Sequence, residues 1–283
     1  MLIKLIDEQI LFLIKNFPVE IIVIDDGSDK ENQNQLMHFI EDLNQKRIKY
    51  FYKKNSGKFS SISFGLTKSN GDFFMDMDDD DSFIVNNFQA IFKMLEFCPK
   101  DILGFVFQTV DCNQNFIGSK FLDCDKPTSI LSLRADQNIK GDKKEIIKTD
   151  ILKSLKIPVF KEKRTPTSLR WTYLSELGHV LCSNIPIVNK NYLEHGLTKN
   201  ILLKKIKNPN SIKHLYKKQI SLFGSIFFSK KYLTKAKINF YRYSFHSKKV
   251  KLIKHIDIIF LLIGLLFSVI DRIRINFHKN EHY

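Results

Sequence analysis

Four consecutive aspartates, Asp78 to Asp81, follow an apolar run in the stretch "GDFFMDMDDDDSF". Carboxylates packed this closely repel one another, and each is more stable in water than against an apolar core. A solvated turn would relieve the repulsion. A hard divalent cation would do so as well, because such cations take carboxylate oxygens as ligands. The run is therefore a solvated acidic turn or a metal site.

Short apolar segments alternate with helical patterns around this run. The predicted strands are "EIIVID", "RIKYFY" and "DFFMDM". Apolar residues at helical spacing predict helices in "LIDEQILFLIKNF", over Gln33–Asn44 and in "SGKFSSISFGLTKS". Strands that alternate with helices predict an α/β fold with a mostly parallel sheet.

A second acidic cluster, Asp25 and Asp26, directly follows the first of these strands, just as Asp78 to Asp81 follow the third. Ligands of parallel sheets bind at the carboxyl ends of the strands, so both clusters are expected at one rim. Two acidic clusters at one sheet edge favour a site for a metal and a nucleotide over a plain loop.

The 283 residues are 43% hydrophobic, which allows a substantial core and excludes a wholly disordered chain. The four cysteines show neither CxxC pairs nor zinc-ligand spacing, and the sequence begins without a secretory signal pattern. These features predict a cytoplasmic protein with reduced thiols.

The net charge of +15 is unevenly distributed. Residues 1–199 carry 27 basic and 27 acidic side chains, whereas residues 200–283 carry 18 basic and 3 acidic ones. We therefore predict a neutral domain over 1–199 and a basic helical region over 200–283 that faces an anionic surface.

The basic region contains an apolar run, Ile258 to Ile270, which is shorter than the roughly 20 residues that a spanning helix needs. Basic side chains flank it: Lys248, Lys249, Lys251 and Lys254 before it, Arg272 and Arg274 after it. The pattern favours a helix that lies in the membrane interface. The alternative is a helix packed on the neutral domain or on a second subunit.

The order of the motifs resembles the family-2 glycosyltransferases, which have the GT-A fold. The segments that carry the resemblance are "EIIVIDDGSDKEN", "KKNSGKFSSISFGL" and "GDFFMDMDDDD", followed by "GDKKEIIKTDIL", "PVFKEKRTP" and "YLEHGLTKNI". It implies a Rossmann-like, mostly parallel sheet with flanking helices. The family has a strand before the first helix, and the resemblance implies that this chain lacks it.

The resemblance also implies site roles. Asp78 and Asp80 would hold Mg²⁺ or Mn²⁺ as the ends of a DXD element, with Asp79 between them at the nucleotide-sugar. Asp26 or Asp25 would accept a hydrogen bond from the base of a uridine-type nucleotide, and Lys58 would reach a phosphate.

The family places its catalytic base at the start of a late helix, where this chain has Thr167. A threonine hydroxyl is no base near neutral pH. Glu162 and Asp142 are the candidates to replace it, and an ordinary ion pair is the alternative for both.

The sequence thus predicts an enzyme that moves a sugar from a nucleotide-diphosphate donor, of UDP type, to a glycan or lipid-linked acceptor. The resemblance places it in cell-envelope polysaccharide synthesis, peripheral on the inner face of the cell membrane. An inactive GT-A-like binding module and a basic nucleic-acid-binding protein are the alternatives. No nucleic-acid-binding motif is present in the sequence, and an acidic rim would repel phosphates without a metal.

Overall fold

The computed structural model describes residues 6–191, 201–248, 250 and 257–280. Its strands are β1 (Ile21–Asp25), β2 (Ile48–Tyr52), β3 (Phe73–Phe74), β4 (Ser82–Phe83), β5 (Ile102–Val110), β6 (Lys143–Lys148) and β7 (His179–Asn189). A π-helical turn at Ile6–Ile10 leads into the first helix, and a 3₁₀ turn covers Val85–Asn87. The helices are α1 (Leu11–Asn16), α2 (Lys30–Asp42), α3 (Lys58–Lys68), α4 (Phe88–Glu96), α5 (Ile130–Ala135), α6 (Thr149–Ser154), α7 (Ser168–Leu177), α8 (Ile201–Ile206), α9 (Pro209–Ser221), α10 (Lys230–His246) and α11 (Ile258–Asn280).

The described strands form two sheets. β1 and β2 are a parallel pair, and the other five are ordered β3-β6-β5-β7-β4. In the larger sheet β5 and β7 are parallel, whereas every other neighbouring pair is antiparallel. The predicted α/β class is confirmed, and so is the parallel pairing of the first two strands. The described sheets are mixed and not mostly parallel, because β3, β4 and β6 run antiparallel to their neighbours.

The third predicted strand differs from expectation. Only Phe73–Phe74 is a strand, and it pairs antiparallel with β6. Beyond Phe74 the chain leaves the ladder, and Asp76 is held by side-chain contacts with Arg170 and Lys144. The ladder therefore ends where these ion pairs begin.

Residues directly before α2 and α3 determine where these two helices begin. The side chain of Asp29 accepts a hydrogen bond from the backbone N–H of Asn32 at 2.9 Å, so α2 begins three residues before the predicted Gln33. α3 begins after Gly57, whose φ of +92° favours glycine.

Two apolar cores cover the two faces of the larger sheet. In the central strand β5, Phe105 and Phe107 belong to one core, whereas Leu103 and Val106 belong to the other. α1 and α4 pack on the first core, and α3, α5 and α7 pack on the second. From Phe105 to Phe107 the side chains alternate between the two faces as in a regular strand, whereas Leu103 lies before Phe105, where the pairing with β7 shifts register, and departs from that period.

In the carboxyl-terminal region α9 packs against α10, and α10 packs against α11. The predicted helical character of this region is confirmed. Among the described helices none is both long enough and apolar enough to cross a membrane. Lys249, Lys251 and Lys254 and residues 192–200, with most of the motif "YLEHGLTKNI", lie outside the described residues. The division at 199 and 200 stays a prediction.

Candidate active site

The loop after β3 gathers three carboxylates. Oxygen atoms of Asp78, Asp80 and Asp81 lie within 4.8 Å of one another. The predicted pair Asp78 and Asp80 is thus joined by Asp81, while Asp79 is exposed. Three carboxylate oxygens at this spacing are a donor set that suits a hard divalent cation.

Two lysines neutralise part of this cluster. The Lys58 Nζ lies 2.7 Å from Asp78 Oδ2, and the Lys190 Nζ lies 2.5 Å from Asp81 Oδ2 and 3.4 Å from Asp78 Oδ2. Burial opposes ionisation of Asp78, but Lys58, Lys144 and Lys190 outweigh it and lower its pKa. Burial likewise opposes the charge of Lys190, but Asp81 and Asp78 outweigh it and raise its pKa.

Lys190 is a site residue that sequence reasoning missed. It follows the last residue of β7, and its backbone N–H donates to the Val110 carbonyl oxygen at 2.8 Å. Its partner Asp81 is 109 positions earlier in the chain. The one sequence feature that could have indicated Lys190 is its position directly after a long, largely apolar strand.

A second group of ion pairs, centred on Asp76, holds the base of the acidic loop in place. The Arg170 guanidinium donates to Asp76 Oδ1 at 2.6 Å, and Lys144 Nζ lies 3.9 Å from Asp76 Oδ2. Burial opposes ionisation of Asp76, but Lys144 and Arg170 hold its pKa well below the usual range. α7 therefore anchors the acidic loop through Arg170, three positions after Thr167.

Glu145 lies in β6 beside this group. Burial raises its pKa to about 7, and Asp76 adds to the increase against the opposing charges of Lys144 and Arg170. The sequence pattern gave no reason to single it out from other charged residues of a strand.

In the first acidic cluster, the Asp25 carboxylate binds backbone N–H groups of the turn that follows it. Asp25 is buried and accepts hydrogen bonds from Tyr50 Oη at 2.7 Å and from the N–H groups of Gly27 and Ser28. These contacts fix the turn after β1, and they occupy both oxygens of the carboxylate.

Asp26 connects the segment "EIIVIDDGSDKEN" with the segment "KKNSGKFSSISFGL". Its carboxylate accepts from the N–H groups of Ser56 and Gly57 at 2.9 and 2.7 Å and from Lys53 Nζ at 2.6 Å. Burial opposes ionisation of Asp26, but these donors outweigh it and lower the pKa. Because Lys58 directly follows Gly57 and reaches Asp78, the two acidic clusters meet at the amino-terminal end of α3.

The two base candidates are placed differently. Glu162 accepts from the backbone N–H groups of Asn210 and Ser211 at 2.7 and 2.8 Å, so it caps the first turn of α9. Asp142 is exposed and directly precedes β6, and its charge raises the pKa of Lys190.

Comparison with known proteins identifies the family of this chain. The family model described as "Glycosyl transferase family 2" matches residues 3–153. Curated relatives include an uncharacterized glycosyltransferase of Rickettsia bellii (strain RML369-C), 40% identical over 77 residues, which are 27% of this chain and 11% of that protein. Another is from Rickettsia typhi (strain ATCC VR-144 / Wilmington), 26% identical over 151 residues, which are 53% of this chain and 42% of that protein. The chain thus spans less than half the length of these relatives.

Solved structures share the fold. S. aureus TarS 1-349 in complex with UDP-GlcNAc matches with a TM-score of 0.59 and 18% identity over 88% of this chain and 73% of TarS. The mannosyltransferase PcManGT from Pyrobaculum calidifontis in complex with GDP-Man and Mn²⁺ matches with a TM-score of 0.54 and 13% identity over 94% of this chain and 83% of that one. At these identities the likeness shows the GT-A fold. The chain belongs to glycosyltransferase family 2.

Proposed function

We propose that this chain transfers a sugar from a nucleotide-diphosphate donor, of UDP type, with a divalent cation held by Asp78, Asp80 and Asp81. The observation that carries the proposal is the meeting of two acidic loops at the start of α3, through Asp26, Gly57, Lys58 and Asp78. The donor complexes of TarS and PcManGT support the ligand class, and the Mn²⁺ of PcManGT supports the cation.

The charges at the site suit this pair of ligands. Lys58 and Lys190 leave the three aspartates with one net negative charge, so a divalent cation is attracted to the cluster. The bound cation would act as a Lewis acid that stabilises the departing diphosphate. Lys58 and Lys190 are then placed to turn from the carboxylates to the phosphate oxygens as point charges.

Asp25 and Asp26 support the nucleotide pocket in this proposal by fixing its loops. Asp26 holds the N–H groups of Ser56 and Gly57, and Gly57 passes so close to the Lys163 carbonyl that a Cβ there would lie 2.0 Å from the oxygen. The loop, the acidic cluster and the segment around Lys163 would therefore frame the donor.

For the catalytic base we favour Asp142 over Glu162. The Glu162 carboxylate is engaged by the start of α9, whereas Asp142 is exposed and close enough to Lys190 for its charge to be felt. A base must be free to take a proton from the acceptor hydroxyl. The acceptor we propose is a glycan or lipid-linked sugar of the cell envelope.

Calorimetric titration with UDP, with and without Mn²⁺, tests the function. We expect binding that requires Mn²⁺ and falls at least tenfold in Asp78→Asn and Asp80→Asn, because each replacement removes a charged ligand oxygen. Asp42→Asn, at the exposed end of α2, is the matched control and should bind like the parent. Equal UDP affinity in all four proteins would contradict the proposal.

We also propose that α11 docks on an anionic membrane. Its inward positions are small or polar, and Asp257 just before it and Asp271 bond to Lys237 and Arg242 of α10 at 2.7 Å. Its outward positions are apolar and 39–60% exposed: Ile258, Ile259, Leu262, Leu265, Leu266, Phe267, Val269 and Ile273. A helix with polar groups inside and apolar groups outside is stable where its outer face leaves water.

Vesicle flotation with phosphatidylserine-containing vesicles tests the docking. Changing Leu262, Leu266 and Ile273 together to Ser should lower partitioning by at least a hundredfold, since burying such a side chain contributes roughly 1.5–3 kcal/mol. Phe228→Ser removes an apolar side chain that is 68% exposed outside α11 and serves as the control. Unchanged partitioning of the triple variant would contradict membrane docking. A concentration-dependent dimer that the triple variant abolishes would assign this face to a subunit contact.

A further inference from the structure

A groove of about 290 Å³ lies between α10 and α11. Its cationic lining is Lys231, Lys235 and Arg242 of α10, and its apolar lining is Ile238 of α10 and Phe267 of α11. The three cationic residues share one face of α10, because spacings of four and seven positions are close to whole helical turns. Pockets for whole small molecules usually measure roughly 300–1,000 Å³, so this groove suits a smaller group such as a phosphate and the atoms next to it.

Lys205 of α8 adds a further cation at this place. It is half-buried, and burial lowers the pKa of its ammonium, as do the charges of the nearby Arg242 and Lys235. Among the described residues Lys205 has no hydrogen-bond or ion-pair partner for its ammonium. A half-buried ammonium beside two other cations is stabilised by any anion that comes within reach.

The carboxylates of this region are already engaged. Residues 200–283 contain 3 acidic side chains, and the two that the structure describes are Asp257 and Asp271. Asp257 accepts from Lys237 Nζ at 2.7 Å, and Asp271 accepts from Arg242 Nε at 2.7 Å and from its Nη2. The charges of Lys205, Lys231 and Lys235, called the lysine group below, therefore have no carboxylate partner within the described chain.

Phe267 belongs both to the groove and to the outward apolar face of α11. Its side chain is 40% exposed, and its ring centre lies 5.5 Å from the guanidinium carbon of Arg242. A ligand in the groove would thus meet cations at one end and the apolar face at the other, which is the pattern that an anionic amphiphile matches. A nucleic acid would meet the cations but would leave the apolar face of α11 in water.

We propose that this groove binds the phosphate headgroup of an anionic lipid and that it favours a phosphomonoester over a phosphodiester. A phosphomonoester carries about −1.5 to −2 charges near neutral pH, whereas a phosphodiester carries only about −1. Because the lysine group offers several charges without a carboxylate partner, the more highly charged headgroup gains more from it. The inference rests on the membrane docking proposed for α11 and names the lipid that this docking selects.

Flotation of the full chain with two kinds of phosphatidylcholine vesicle tests the preference. One kind contains phosphatidic acid and the other phosphatidylserine, and their surface charge is matched by electrophoretic mobility. We expect about fivefold stronger partitioning onto the phosphatidic acid vesicles, because the monoester neutralises roughly one lysine more and each basic side chain near an anionic surface contributes roughly that factor.

The ratio of the two partition coefficients separates a headgroup site from simple charge attraction. Lys205→Gln combined with Lys235→Gln should bring this ratio to about one, since it removes two of the three lysine charges. Lys207→Gln combined with Lys217→Gln removes the same charge from exposed positions outside the groove. This control should lower both partition coefficients alike and keep their ratio.

Equal partitioning of the parent onto both kinds of vesicle would overturn the headgroup site and leave the docking of α11 in place. A lack of partitioning onto either kind would contradict the docking itself. A ratio that falls equally in both double variants would reduce the preference to net charge. Calorimetric binding of inorganic phosphate or of a single-stranded oligonucleotide, lost in the groove variant and without any lipid preference, would assign the groove to that ligand and overturn the lipid.

Discussion

Replacing Glu145 by Gln should make the protein more stable, and the gain should depend on pH. Burial raises the pKa of Glu145 to about 7 from a reference value of 4.5, and Asp76 raises it further against Lys144, Arg170 and Arg134. The folded state therefore binds more protons than the unfolded state between about pH 4.5 and 7. Stability is lost as the pH rises through this window.

The size of the effect follows from the pKa values of Glu145 in the folded and unfolded states. A tenfold difference between the two acid dissociation constants corresponds to about 1.4 kcal/mol. Because Glu145 ionises at lower pH in the unfolded chain than in the folded one, it lowers the free energy of unfolding by about 2 kcal/mol at pH 6 and about 3 kcal/mol at pH 8. Gln has nearly the same shape and no charge. The variant should match the parent below pH 4.5 and exceed it by these amounts at higher pH.

Urea denaturation at pH 4.5, 6 and 8 measures the difference directly. Glu96→Gln, at the exposed end of α4, is the control and should stay within about 0.5 kcal/mol of the parent at each pH. A Glu145→Gln difference that is the same at all three pH values would refute the reasoning, because a pH-independent gain is packing and not ionisation.

Two further outcomes are expected from the packing. Arg170→Met should lower the free energy of unfolding by about 3 kcal/mol, because it removes the closest ion-pair partner of Asp76 and leaves Lys144 at 3.9 Å, and adding Asp76→Asn should recover part of the loss in urea denaturation. Gly264→Val should loosen α11 from α10, since an added Cβ would lie 2.7 Å from Tyr241 Cβ and 2.8 Å from Arg242 N; we expect a thermal midpoint lower by several degrees and a smaller drop for Gly264→Ala. A midpoint unchanged by Gly264→Val would mean that the two helices pack more loosely than described.

The elements near the start of the chain could be predicted because their signals are local. Apolar runs and helical spacing place β1, β2, α2 and α3, and both helices start within three residues of the predicted positions. The resemblance of the ordered motifs to family 2 is confirmed by the family match.

The remaining features depend on contacts between distant parts of the chain. Lys190 meets Asp81 across 109 positions, and Glu162 caps α9 from 49 positions before Ser211. No pattern in a short window reports such pairs. The outward apolar face of α11 was hidden for the same reason, because its orientation is set by Asp271, which pairs with Arg242 29 positions earlier.

The central claim is that Asp78, Asp80 and Asp81 hold the cation that binds a nucleotide diphosphate. Crystals of the full chain grown with UDP and Mn²⁺, measured at the manganese absorption edge, test it most directly. We predict one anomalous peak about 2 Å from carboxylate oxygens of at least two of these aspartates and in contact with the diphosphate. UDP bound without an anomalous peak at these aspartates, or a peak elsewhere on the protein, would contradict the account.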